Sequence, residues 1–195
     1  MLVAITAALA MSTHANVITF DEITDNGHGT VIPNGYAGLN WNQMWVVNVA
    51  AFPAAYNYYG PAGYPVVEQS GPNVGFNYGG RTSDITAPTG TFNLDSGYFA
   101  ASYETEAMTV KGYRGTTLVF DNTYNLSQYG STFITFNYSD ITDAQFSLSP
   151  NRQITMDNLR VDLSPVPEPS QLFAGLAVTG MWATSLLMRS SRSRN

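Results

Sequence analysis

Between residues 17 and 163, apolar and polar positions alternate over short stretches that turn residues interrupt. Ten such stretches read as strands: residues 17–20, 44–49, 74–78, 91–94, 97–103, 107–113, 116–121, 132–137, 143–148 and 154–163. Each is a few residues long and flanked by Gly, Pro, Asn, Asp or Ser, which break strands and start turns. In residues 107–113, Met108, Val110 and Gly112 oppose Thr109, Lys111 and Tyr113, the two-residue period of a half-buried strand. Residues 132–137 place Phe133 and Phe136 on opposite faces, which predicts a strand covered on both sides. No stretch before residue 172 keeps apolar residues at helical spacing for three turns. Short strands at this density over some 150 residues predict an all-β, jelly-roll-type β-sandwich at 16–164. Residues 49–66 (VAAFPAAYNYYGPAGYPV) break the rhythm, carry no charge, and read as one long ordered loop.

The two ends follow a different pattern. Residues 2–11 (LVAITAALAM) form a short apolar run, and Thr13 and Ala15 supply small residues for cleavage after Ala15. A run this short suits a signal peptide at 1–15 and does not span a bilayer, although no Lys or Arg precedes it. At the other end, residues 165–171 hold three prolines, which fix φ and remove N–H donors, so they form an extended linker. Residues 172–188 (LFAGLAVTGMWATSLLM) are free of charge and predict a short transmembrane helix. The tail at 189–195 carries Arg189, Arg192 and Arg194, which stay on the cytoplasmic side and put the β domain outside.

Composition narrows the chemistry. Only 11% of the 195 residues are charged and 13% are aromatic, against roughly a quarter charged in ordinary globular domains. From Asn16 to Ser164 there are 13 acidic and 5 basic residues, a balance of −8 with no basic cluster. Nucleic acid is therefore not expected as a partner, since phosphates require cations. The chain has no cysteine and 2 histidines, His14 in the signal and His28 in an Asn-Gly-His-Gly turn. Disulfides, cysteine chemistry, histidine metal centres and Ser-His-Asp catalysis are excluded together. His28 reads as a solvated turn residue. Glu104 and Glu106, two apart on one strand, have a spacing compatible with a glycosidase pair. They sit at a turn, however, and read better as a solvated strand end. No catalytic residue is expected, and the domain reads as a non-enzyme.

Pro167, Glu168 and Pro169, placed before a span and a basic terminus, resemble the PEP-CTERM sorting signal. The resemblance covers residues 166–195 and implies an exosortase-type membrane protease as partner. It also implies transient anchoring in the inner membrane through the C-terminal helix, then residence in the envelope or extracellular matrix of a Gram-negative bacterium. A permanent tail anchor would predict the same place without cleavage. The segment 17–163 resembles galactose-binding-like jelly rolls, which include many carbohydrate-binding modules. The resemblance rests on Ile18-Thr19-Phe20-Asp21, on residues 35–41 (GYAGLNW), on Ser70-Gly71-Pro72-Asn73, on residues 110–113 (VKGY) and on Met156-Asp157-Asn158.

That resemblance implies a structural calcium tying the first strand to the last, with Asp21, Glu22 and Asp157 as candidate ligands. The other reading has Asp157 bonding backbone amides at a bulge and Asp21 capping a turn. No other cofactor is expected. The candidate ligand surface is aromatic: Tyr56, Tyr58, Tyr59 and Tyr64 crowd the long loop beside Asn57. Sugar rings pack their C–H faces on such side chains. Trp41 and Trp45 would share a face if one strand ran through both, and read as core. Two functions follow as expectations: a structural or adhesive matrix component, and a calcium-stabilised binder of exopolysaccharide.

Overall fold

A computed structural model describes residues 15–56, 62–149 and 152–163, with backbone alone at Tyr56. Of the signal peptide expected at 1–15 only Ala15 is described, as the first residue of a strand, and the linker, transmembrane helix and basic tail expected from the sequence lie outside these residues. Among the described residues no helix is long and apolar enough to cross a membrane.

The architecture is the expected all-β sandwich of two antiparallel sheets. The first contains β1 (Ala15–Ile18), β2 (Thr30–Val31), β4 (Met44–Asn48), β5 (Asn73–Asn77), β7 (Phe92–Ala101), β10 (Thr132–Ile141) and β12 (Ile154–Leu163). Its order is β10-β7-β12-β5-β4-β2, with β1 also paired to β12. The second contains β3 (Asn40–Asn42), β6 (Ser83–Thr86), β8 (Glu106–Arg114), β9 (Thr117–Leu126) and β11 (Asp143–Ser147), in the order β3-β6-β11-β8-β9. First and last strands are neighbours, as the jelly-roll expectation required.

The core between the sheets follows from strand alternation. Met44 and Val46 of β4, Met108 and Val110 of β8, and Ile154 and Met156 of β12 point inward and are buried with Phe20, Phe92, Phe99 and Phe146. Three differences from the sequence pattern have physical causes. Residues 91–94 and 97–103 belong to one strand, β7, because Gly97 is not a turn. A Cβ there would meet Leu159 Cδ1 at 3.1 Å, so the glycine admits a close neighbour in mid-strand. Residues 132–137 are covered on one face only: β10 is a sheet edge, and Phe133 is 56% exposed, leaning on Tyr98. Trp41 and Trp45 do not share a face, because Gln43 takes a left-handed conformation (φ +56°) between β3 and β4. The chain changes sheet there, leaving Trp41 in the core and Trp45 on the outer face of the first sheet.

That outer face carries a second, smaller core. Val47, Val74, Phe76 and Ala100 point outward and are covered by Val49, Phe52, Ala62, Tyr64 and Val67, which mark a covering segment. The described parts of the expected long loop contain two short helices, α1 (Phe52–Tyr56) and α2 (Gly63–Val67). At five residues each they leave no helical period to read. This covering segment positions the candidate site.

Candidate functional site

Where the covering segment meets the outer face of the first sheet, a cavity of about 350 Å³ opens, lined by His28, Val47, Phe52, Tyr64, Phe76, Tyr78, Tyr103 and Gln153. Its floor follows from period-two exposure on β4 and β5, which turns Val47 and Phe76 outward. Tyr64 stands on α2, buried, with its hydroxyl donating to Gln153 Oε1 at 2.8 Å. Its ring meets Phe52 at 4.9 Å and Phe76 at 5.6 Å. Two aromatic rings remain open to solvent. Tyr78 is 44% exposed and lies flat on Trp45, at 4.2 Å and 14° between planes. Tyr103 is 40% exposed and meets Tyr64 edge-on at 5.8 Å. An apolar pocket with a few convergent polar groups is the usual form of a small-ligand site.

Of the expected ligand residues, Tyr64 reaches this cavity. Asn57, Tyr58, Tyr59 and the Tyr56 side chain fall outside the described residues. Tyr78, Tyr103, Phe76 and Gln153 were not singled out by sequence. Period-two patterning around β5 hinted at Phe76, but nothing local marks Tyr103 or Gln153, which come together through strand pairing. His28 is exposed, as a turn residue should be, yet it also walls the cavity. The turn rests on Gly29 (φ +88°), whose missing side chain lets it lie within reach of Phe76 and Trp45.

Glu104 is exposed beside the start of β8, as expected of a solvated strand end, whereas the Glu106 side chain is only 13% exposed. Arg152 bridges both, to Glu104 Oε2 at 2.7 Å and Glu106 Oε1 at 3.1 Å. One guanidinium clamps the connection between β7 and β8 to the start of β12. Both carboxylates are committed to one guanidinium, so neither stands free as a nucleophile for a glycosidic bond.

The candidate calcium ligands separate. Asp157 is fully buried on β12 and accepts from the backbone N–H groups of Gln69 (2.6 Å), Ser70 (3.0 Å) and Asn158 (2.7 Å). Burial pushes its carboxyl up to about 6, against these three hydrogen bonds, and the charge of Asp21 adds to the rise. Asp21 Oδ1 accepts from Asn73 N–H at 3.2 Å. Glu22 turns away and accepts from the Tyr36 hydroxyl at 2.6 Å, which holds the Glu22 carboxyl below its ordinary value. Among the described residues no group of three or more His, Asp or Glu side chains could hold a metal ion. Asp157 is a bulge anchor: pairing slips between Asp157 and Arg160, and Asn158 takes φ +48°.

No protein-family model matches the chain, and no curated protein matches it. Solved structures similar to it include a carbohydrate binding module of family 29, 14% identical with a TM-score of 0.40, covering 78% of this chain and 89% of that one. A family 16 carbohydrate binding module-2 is 11% identical, with a TM-score of 0.33 and coverages of 62% and 85%. TmCBM61, solved with β-1,4-galactotriose, is 8% identical, with a TM-score of 0.36 and coverages of 66% and 93%.

Proposed function

We propose that this β-sandwich is a non-enzymatic carbohydrate-binding protein of the cell surface, with its sugar site in the cavity walled by Tyr64, Tyr78 and Tyr103. The observation that carries the reading is the pair of solvent-open tyrosine rings, Tyr78 and Tyr103, flanking an apolar floor with Gln153 beside it. Sugar rings need that combination: a flat apolar face for their C–H groups and an amide for their hydroxyls. A purely structural matrix component would have no use for a concave aromatic site, so the binding reading stands ahead of it.

The test is retention of the full chain on exopolysaccharide from cells that express it, held in a detergent without a sugar headgroup, in calcium and then in EDTA. We expect retention in calcium, and a loss of roughly tenfold or more in affinity for Tyr78→Ala, which removes an exposed ring without opening the core. Retention surviving EDTA would take calcium out of the account, leaving Asp21 and Asp157 as hydrogen-bond anchors. No retention in either condition would overturn the binding reading and put the adhesive matrix component in its place.

Export rests on the two ends. Residues 1–15 act as the signal, and Pro167-Glu168-Pro169, the span and the terminal arginines act as the handle for an exosortase-type protease, which releases the domain into the envelope or matrix. Intact mass of the protein from its native cells checks this. The expected species lacks residues 189–195, and a mature form that keeps Arg189, Arg192 and Arg194 would contradict the sorting.

A further inference from the structure

Independently of sugar binding, we propose that β9 is a pairing edge on which a second copy of this chain docks antiparallel. The second sheet then runs on from one copy into the other across a two-fold axis at Thr123.

A free strand edge presents a row of unpaired N–H and C=O groups, and folded proteins blunt such edges with brevity, bulges, Pro or Lys. Among the described residues four strands end the two sheets: β10 and β2 in the first, β3 and β9 in the second. β2 is two residues long and β3 is three. β10 slips register on either side of Tyr138, where Asn137 (φ +54°) and Asp140 (φ +54°) take left-handed conformations. β9 is different. It runs for ten residues without Pro or Lys, and residues 120–126 pair with β8 in unbroken register. The extra residue at Val119, between the pairs made by Leu118 and Phe120, marks where this regular edge begins.

The edge is also held in place from within. Phe120 stacks on Tyr138 at 4.4 Å, and Tyr124 meets Phe136 edge-on at 5.4 Å. On the outer face the Thr123 and Thr109 hydroxyls lie 3.1 Å apart. A strand already fixed in this way loses little freedom when another strand adds to it.

Its sequence fits its own copy. Where two antiparallel copies continue one sheet, opposed residues point to the same face, so one residue of the strand faces itself. The regular stretch 120–126 is centred on Thr123, which is exposed. That register sets Asp121 opposite Asn125 and Phe120 opposite Leu126, each pair occurring twice, as a two-fold interface requires. Asp121 is the strand's one charge. It would meet an amide able to donate to it, and Lys111 of its own chain, at 3.9 Å, already offsets it. An axis at Asp121 would instead set that carboxylate against its own copy.

The experiment is sedimentation equilibrium of the full chain in detergent, as wild type, Asn125→Asp and Asn125→Lys. The wild type is expected to show a monomer–dimer equilibrium. Asn125→Asp puts like charges across the axis twice and should weaken the dimer roughly tenfold, whereas Asn125→Lys puts opposite charges there and should tighten it by about as much. Both changes fall at one exposed position, so a folding defect would not move them in opposite directions. Thr123→Cys supplies a second readout in a chain without cysteine. Mild oxidation should join two copies of this variant through one disulfide, because the facing Cα atoms would lie about 5 Å apart. Thr117→Cys, whose two copies would lie about 40 Å apart along the paired strands, should stay unlinked. A monomer at every concentration would overturn the proposal. So would a dimer that is indifferent to both Asn125 variants and left unlinked by Thr123→Cys, since its contact would lie elsewhere.

Discussion

Replacement of Asp157 by alanine is expected to destabilise the domain by on the order of 3 kcal/mol, or about 10 °C in Tm. The carboxylate is fully buried and accepts three backbone N–H groups, two of them from Gln69 and Ser70, just after the covering segment. Alanine leaves those donors without acceptors beneath a segment that excludes water. Asparagine should cost less but not nothing, because its amide turns two further donors toward a site that already supplies donors. The pH dependence separates the charge from the shape. The folded state holds the Asp157 proton more tightly than the unfolded chain, with the carboxyl at about 6 against an ordinary 3.8. The stability this proton confers is complete below about pH 4. It fades as pH rises to about 6, a change of at most roughly 3 kcal/mol, and is absent above that. Thermal melts of the wild type and Asp157→Asn from pH 4 to pH 7.5 provide the check. The wild type's advantage is expected to narrow as pH rises. A gap constant across that range would show that folding does not raise the Asp157 carboxyl.

What the sequence revealed depended on whether a signal was local. Strands such as β8 and β12 show period-two alternation between one core face and one outer face, and both were legible to within a residue or two at each end. The two-residue β2 and three-residue β3 are too short for any period to register. β6 is hidden because Ser83 and Ile85 point inward while Asp84 and Thr86 read like a turn. The split placed within β7 came from treating Gly97 as punctuation, when its role is to admit Leu159 from the adjoining strand. The tryptophan assignment failed at Gln43, a residue with no turn signature that nevertheless turns the chain from one sheet to the other.

The site was legible in kind more than in membership. The aromatic richness of residues 49–66 marked a segment with something to cover, and Tyr64 came from there. Tyr78, Tyr103 and Gln153 sit in three different strand connections, and only the pairing of β12 with β5 and β7 brings those connections to one place. The two glutamates show the same limit. Glu104 and Glu106 are close in sequence, but their partner Arg152 is some fifty positions away, and it decides that they are a clamp. The carboxylates expected at a calcium site divide likewise. Asp21 and Asp157 are brought near enough for one charge to affect the other, while Glu22 is taken by Tyr36.

Gly63→Ala is expected to abolish sugar binding while the sandwich stays folded. Gly63 opens α2 directly against β7, its N–H donating to the Ser102 carbonyl at 2.7 Å and its own carbonyl lying 3.2 Å from the Thr155 hydroxyl. A Cβ there would fall on the Ala101 carbonyl oxygen, with the carbonyl carbon at 2.7 Å. Those atoms are backbone at the end of β7, held by pairing of Ala101 with Ile154 of β12, so the helix has to move instead. Tyr64 moves with it, which removes the wall between Phe76 and Tyr103 and breaks the bond to Gln153. Overpacking of this kind costs on the order of 2 kcal/mol. The cost falls on the smaller core outside the first sheet. The larger core lies on the opposite face of that sheet and shares no buried residue with it. Far-UV circular dichroism should therefore remain that of a β-sandwich while oligosaccharide titration shows no heat of binding. Gly130→Ala, where a Cβ meets nothing within 4 Å, serves as the matched control and should bind as the wild type does. If Gly63→Ala bound with wild-type affinity, the covering segment would not be what shapes the site, and Tyr64 would lose its place in it.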